Sequence, residues 1–422
     1  MVLAVSLAIR LIGLNQSLWL DEAISANVVK DYSYSELVTK FSPVDFHPPL
    51  YYLMLKEWTG VFGFSEISLR MPSVIFSLVT VYFIYLLGGF WPALITGVNP
   101  LLIYYSQEAR MYAMVTMLLA MGLYFLIKKK YWFTSVLFGI SFLTFYGSIF
   151  FVVATGIYLL ISKKFKEVLI IGVGPLVALL AVSPLLAKQI VNSREMLGIV
   201  TNWDLLLGKA NLKNLLLIPI KFTSGRISFY PKIIYYLISG AWALFVFKPL
   251  ALRALPLRKG SLKEINVYSF IFWITLFVGT VFSIMTPMLQ YFRFLYLIPV
   301  MALVIKKNYL VVGGFVIFSL IYLLNPQFYR EDWKSLSNDL PDKVYMISSL
   351  NDPIKYYKNI NISDIRGDIL EDEITVLPYG EVIHGVDHNQ LLTAKGYKKI
   401  ETKNYRELTS ERWQKVEPIL PR

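Results

Sequence analysis

The sequence contains no cysteine. That excludes disulfides, thiolate metal sites and a cysteine nucleophile, and leaves the redox compartment open. Charge is scarce as well. Asp, Glu, Lys and Arg make up 16% of the 422 residues, against about 25% in a soluble globular chain. No glycine-rich phosphate loop, nucleophile motif, internal repeat or low-complexity tract is present. What fills the chain instead is apolar: 56% hydrophobic and 15% aromatic residues. This composition reads as an α-helical, multi-span membrane protein.

The net charge of +13 is unevenly placed. Residues 326–422 hold 14 basic and 16 acidic groups, and residues 1–325 hold 27 and 12. The positive charge therefore lies in the apolar part, where it marks cytoplasmic loops and not a nucleic-acid surface. Apolar runs predict eleven spans near residues 2–14, 71–89, 91–105, 111–127, 132–146, 148–162, 168–189, 229–248, 266–286, 293–305 and 309–324. Several are shorter than the roughly 20 residues of a straight crossing. No small-residue cleavage site follows the first run, so it reads as a span and not a signal peptide. A cytoplasmic N-terminus puts Lys128–Lys130, Lys163–Lys166, the stretch 248–263 and Lys306–Lys307 all inside. Residues 15–70, 106–110, 190–228, 287–292 and the tail from 326 then lie outside. Ten of the twelve acids before residue 326 fall on the outer side; Glu167 and Glu264 fall inside.

From Asn325 the character changes. KVYMISS (343–349) and ITVLPYG (374–380) read as strands, with KKIETKN as a further one. DPIKYYKN and HNQLLTAKGY read as short helices between them. The chain thus divides into a transmembrane domain, 1–325, and a small extracytoplasmic α/β domain, 326–422. His384 and His388 are four apart in HGVDH, but the intervening glycine argues against one helical face, and they read as surface histidines.

Three outer segments carry the chemistry. LWLDEA (18–23) puts Asp21 and Glu22 at the mouth of the first span. FHPPLYYLMLKEW (46–58) predicts a helix starting after two prolines, with Leu50, Leu53, Met54 and Trp58 in the membrane interface and Lys56 and Glu57 toward water. NPLLIYYSQEARMYAM (99–114) puts Glu108 and Arg110 in a short turn flanked by Tyr104, Tyr105 and Tyr112. A carboxylate here can accept a proton from a hydroxyl, and a second can hold a divalent cation through oxygen. Arg10, inside the first span, is either functional or a structural partner of Asp21 or Glu22.

The ordered set LWLDEA, FHPPLYY, RMPS (70–73) and NPLLIYYSQEARMYA resembles the membrane glycosyltransferases of the C-type fold, a GT-C-type bundle. Protein O-mannosyltransferases, which use dolichyl phosphate mannose, and lipid A aminoarabinose transferases are the most similar. The likeness covers residues 5–115 and fades afterwards; no β-trefoil follows. It implies transfer of a hexosyl or pentosyl unit from a polyprenyl-phosphate-linked donor to a lipid, glycan or protein acceptor, at a hydroxyl or phosphate, on the outer face of the cell membrane. In this resemblance Asp21 matches a general base and Glu22 its partner. Glu108 matches an acid near the metal or the acceptor, and His47 the histidine of the His-Pro-Pro stretch. Asp21 and Glu108 are the candidate ligands of a divalent cation (Mg, Mn, Ca or Zn). The leaving lipid phosphate needs a cation. Arg293 and Arg110 are the first candidates, Arg226 the next, and Tyr291 and Tyr296 flank Arg293. His47, Tyr52 and Tyr105 are candidates for the sugar or acceptor. The alternatives are a lipid or sugar transporter or flippase, whose charges would lie nearer the midplane, and an inactive scaffold relative.

Overall fold

The computed structural model describes residues 1–203, 207–254 and 266–416. Most of the basic stretch 248–263 lies outside them, as do Asp204 and Glu264. All eleven apolar runs form helix. Among the described residues four helices are long and apolar enough to cross a membrane: Glu66–Gly88, Phe165–Met196, Lys232–Leu252 and Val267–Met285. Five more are apolar and 10–17 residues long. Of the remaining two runs, 91–105 is broken ahead of Asn99-Pro100, and 293–305 is α-helical only over Leu297–Ile305, after a tight turn at Tyr291–Phe294.

The run 91–105, expected as one span, is two helices, Phe90–Gly97 and Pro100–Ser106. The Asn99 side chain accepts from Leu101 N and Leu102 N, both at 3.0 Å, and Pro100 takes the first helical position, where its missing N–H costs nothing. A broken backbone among apolar helices needs partners from neighbours. The Gly97 carbonyl accepts from Arg10 Nη1 at 2.7 Å and the Val98 carbonyl from Ser319 Oγ at 2.9 Å. Asn99 Nδ2 donates to the Phe222 carbonyl at 2.8 Å. Arg10 therefore pairs with neither Asp21 nor Glu22. Its other bonds go to Ser77 Oγ at 2.9 Å and to Ser6. It is a buried strut across the break.

The first loop folds into short helices: Leu20–Asp31, Tyr34–Glu36, Ser42–Asp45 and Leu50–Phe62, with a π-turn over Leu37–Phe41. Ser33 and Glu36 form a reciprocal cap at the second of these. Leu50–Phe62 buries Tyr51, Tyr52, Leu55 and Thr59 against the protein. The predicted stripe Leu50, Leu53, Met54 and Trp58 is half-buried. Lys56 does not face water: its Nζ donates to the Val29 carbonyl at 2.9 Å and so ties this helix to Leu20–Asp31.

The C-terminal part is a five-stranded sheet of β1 (Lys343–Met346), β2 (Asn361–Asp364), β3 (Glu373–Val376), β4 (Tyr397–Tyr405) and β5 (Leu408–Lys415), in the order β2-β1-β3-β5-β4. β1 runs parallel to β2 and β3; β5 runs antiparallel to β3 and β4. The two strands absent from the sequence reading, β2 and β5, are polar (NISD) or mixed (LTSERWQK). Trp333, Leu336, Val344 and Met346 pack on one face, and Ile374, Val376, Leu392 and Trp413 on the other. His388 is not a surface histidine. It is buried, with Nδ1 2.8 Å from Glu381 and Nε2 2.8 Å from Glu411, so both ring nitrogens are taken by carboxylates.

This domain docks on the first loop. The Leu18 N–H donates to Tyr357 Oη at 2.8 Å, Asn27 Nδ2 to Asp352 Oδ1 at 2.8 Å, and Tyr356 Oη to the Phe64 carbonyl at 2.5 Å. The helix bearing Asp21 and Glu22 is therefore held between the apolar bundle and the sheet domain.

Candidate active site

Asp21 and Glu22 open the Leu20–Asp31 helix, where the positive end of the dipole favours acids. Adjacent helical residues point about 100° apart, and the two acids meet different surroundings. Glu22 is fully buried. Arg70 grips it with two bonds, Nε to Oε1 at 2.8 Å and Nη2 to Oε2 at 2.6 Å, and the Ala109 N–H donates to Oε1 at 2.8 Å. Burial alone would raise the Glu22 pKa, but Arg70 and Arg330 overcome it and hold the carboxyl below its ordinary range. Arg70 also donates to the carbonyls of Leu14, Gln16 and Ser17. Glu22 is thus fixed as a buried charge whose oxygens are already committed.

Asp21 keeps 35% of its side chain exposed and lies 3.6 Å from Arg110 Nη2. From Arg110 a chain of polar contacts leads away. Arg110 Nη1 donates to Tyr52 Oη at 3.0 Å, and Tyr52 Oη donates to Asp45 Oδ2 at 2.7 Å. His47 Nδ1 lies 3.1 Å from that same oxygen. Asp21, Arg110, Tyr52 and His47, far apart in sequence, therefore share one network. Asp45, which sequence reasoning passed over, is its hinge. Its signal was slight: an acid two residues before His-Pro-Pro. Tyr52 is buried and takes part through its hydroxyl; its ring does not present a stacking face.

Glu108 is 1% exposed, and neither carboxyl oxygen has a hydrogen-bond partner among the described residues. Burial pushes its pKa up to about 7; Arg330 and Arg110 oppose the rise, while Glu22 and Asp21 add to it. Arg330 was invisible in the sequence, lying in a polar stretch after the last apolar helix. Its Nε is 3.4 Å from Glu22 Oε2, and its Nη2 is 3.6 Å from Glu108 Oε2.

The cations expected at the lipid phosphate differ in setting. Arg293 is half-buried, and its Nη1 donates to the Leu207 carbonyl at 3.1 Å and to the Pro287 carbonyl at 3.4 Å. Tyr296 does not flank it outwardly: its hydroxyl is buried and donates to the Gly147 carbonyl at 2.9 Å. Tyr291 accepts from Arg226 Nη1 at 2.7 Å. Arg226 stays exposed and lies 5.1 Å from the centre of the Tyr104 ring. It borders a cavity of about 340 Å³ with Trp19, Lys232, Tyr329 and Arg330. Tyr105 is buried edge-to-face between Tyr104 and Tyr112 and packs on Phe292, so it shapes the wall.

A divalent cation fits this donor set poorly. Among the described residues no three acids or histidines converge on one point. Each acid faces a guanidinium: Asp21 faces Arg110, Glu22 faces Arg70, and Glu108 faces Arg330.

Residues 46–187 match the family model of dolichyl-phosphate-mannose-protein mannosyltransferases. Over these residues the resemblance to the protein O-mannosyltransferases is borne out. The matched segment holds His47, Tyr52, Tyr105, Glu108 and Arg110. Two solved structures of ArnT from Cupriavidus metallidurans are similar over 97% of each chain, both with a TM-score of 0.46. One, bound to undecaprenyl phosphate, is 12% identical; the other, in the apo state, is 11% identical. No curated protein matches the sequence.

Proposed function

We propose that this membrane protein transfers a glycosyl unit from a polyprenyl-phosphate donor to an acceptor hydroxyl or phosphate at the outer face, by single displacement with inversion. The observation that carries the reading is the division of labour among three acids: Glu22 and Glu108 are sealed, while Asp21 alone among them is open to a substrate and backed by Arg110. The family match over 46–187 supports a phosphate-linked lipid donor.

In this scheme the acceptor oxygen attacks the anomeric carbon and passes its proton to Asp21. The bond from that carbon to the phosphate oxygen breaks, and the lipid phosphate leaves with the electron pair. Its charge meets Arg226, which is exposed on a cavity lined also by Lys232, Arg330, Trp19 and Tyr104, with Glu331 and Glu407; Arg293, expected there, is not among the lining residues and donates to the Leu207 and Pro287 carbonyls. Arginine suits the task because its planar donors grip two phosphate oxygens and stay charged. The transporter and flippase alternative is disfavoured because the open acid and the cavity lie beside the first loop and the docked domain, away from the middle of the apolar helices.

The test is transfer from a radiolabelled polyprenyl-phosphate sugar by the purified protein. Asp21→Asn should reduce turnover by about 10²–10⁴-fold and leave donor binding in place. Turnover close to wild type would remove Asp21 as the base.

A further inference from the structure

Arg330 belongs to neither the apolar bundle nor the sheet. It stands between Leu324, the end of the last apolar helix, and Trp333, the start of the first helix of the C-terminal part. Such a connecting segment ordinarily lies on the surface. Here its side chain is 1% exposed, and the residue is held from several sides. Its N–H donates to Gln16 Oε1 at 3.3 Å, and its carbonyl accepts from Arg406 Nε at 2.7 Å. Its guanidinium lies 4.4 Å from the centre of the Tyr104 ring and donates from Nη2 to the Tyr104 carbonyl at 3.3 Å. Arg406 is on the β4–β5 turn, and its carbonyl accepts from Asp332 N at 3.1 Å. The sheet domain therefore sets where this guanidinium sits.

Glu22 is already neutralised by Arg70. Glu108 has no such partner, and no group among the described residues donates a hydrogen bond to it. Arg330 reaches both acids, from Nε at 3.4 Å and Nη2 at 3.6 Å. One cation between two carboxylates is the arrangement of a bridging metal, made here from a side chain. A buried carboxylate stripped of its counter-charge costs several kcal/mol and would protonate or move. Movement of Glu108 carries Arg110, two residues on, away from Asp21 and Tyr52. The short loop has little freedom to absorb a shift, because the Ala109 N–H is bound to Glu22 and the Glu108 carbonyl accepts from Ser73 Oγ at 2.6 Å.

We propose that Arg330 is a positioning residue of the transfer site: its guanidinium supplies beside the unpartnered Glu108 carboxylate the positive charge that a divalent cation would otherwise supply, faces Glu22 as well, and thereby ties the Glu108–Arg110 loop and Asp21 to the docked C-terminal domain. The inference rests on the function proposed above. It predicts a transferase that works without a metal and that needs the sheet domain in place.

The test uses the full-length protein in detergent. Arg330→Ala should lower kcat by about 10²-fold, the cost of misplacing a catalytic group from a distance. Millimolar guanidinium, far below denaturing levels, should restore part of that loss, and Arg330→Lys should fall between the two. A merely structural arginine would give no such rescue. Where Arg330→Ala fails to fold, Arg330→Lys and Arg330→Gln carry the same comparison. Mn²⁺ binding followed by paramagnetic resonance is independent of turnover. Wild type should bind no ion in a Glu108-dependent way, and Arg330→Ala should take one up that Glu108→Gln abolishes. Unchanged kcat in folded Arg330→Ala overturns the proposal, as does Mn²⁺ bound to wild type and lost in Glu108→Gln. Absence of any transfer by wild type would instead strike the proposed function and leave the Mn²⁺ comparison to decide this one.

Discussion

Asp21 and Glu108 are both acids near the ends of apolar runs, and burial separates their chemistry. Glu108 is held in the interior without a hydrogen-bond partner among the described residues, so its pKa stands near 7 where the ordinary carboxyl value is 4.5. The sign of the consequence is fixed. Between about pH 4.5 and 7 the unfolded chain has released this proton and the folded chain keeps it, so the group makes stability fall as pH rises through that window and level off above it. Glu108→Gln keeps the shape and cannot ionise. It should flatten that fall in thermal unfolding followed in detergent. An identical slope in the variant would mean that Glu108 ionises as readily folded as unfolded.

At the scale of elements, the break at residue 98 positions the site. It turns one apolar run into two short helices and delivers Tyr104, Tyr105 and the Glu108 loop at the end of the second. Asn99 makes the break affordable by capping the second helix and donating to Phe222. Asn99→Ala removes all three bonds and should cost at least about 1–2 kcal/mol, the upper part of the usual capping range, because the site is buried. Asn99→Ser keeps a capping oxygen and loses the donor to Phe222, so it should be the milder change. Comparing the two unfolding midpoints measures the difference; equal losses would assign the whole effect to the Phe222 bond. The runs on both sides were legible from hydrophobicity, and Asn-Pro is a recognisable helix start. The break itself was not legible, because the sequence on either side is equally apolar and its carbonyls are satisfied by Ser6, Arg10 and Ser319 from distant helices.

For the whole molecule, the contacts of Leu18, Asn27 and Phe64 with the sheet domain place the first loop and residues 326–416 on the same side of the membrane. Accessibility tags at Ser35 and Lys355 should therefore report the same side. The charge argument predicts that this side is external and that a tag after Lys130 is cytoplasmic. Opposite sides for Ser35 and Lys355 would contradict the docked arrangement itself, whereas both tags appearing inside would invert the charge argument and leave the fold intact.

The sequence by itself pointed to a membrane protein, to the apolar helices apart from the break at residue 98, to a change of character near residue 325, and to Asp21, Glu108, Arg110, His47 and Tyr52 as candidate site residues. These follow from local composition and from motifs that need no knowledge of what lies across the fold. The tertiary structure decided which acid is open and which are sealed, that Asp45 links His47 to Tyr52, that Tyr296 and Tyr105 face inward, and that Arg330 crosses from the linker into the site. Those outcomes depend on burial and on partners hundreds of residues away, such as Arg330 against Glu22 and Glu108. A polar residue in a polar stretch gives no periodic sign of them, because desolvation and charge pairing arise only when distant segments pack together.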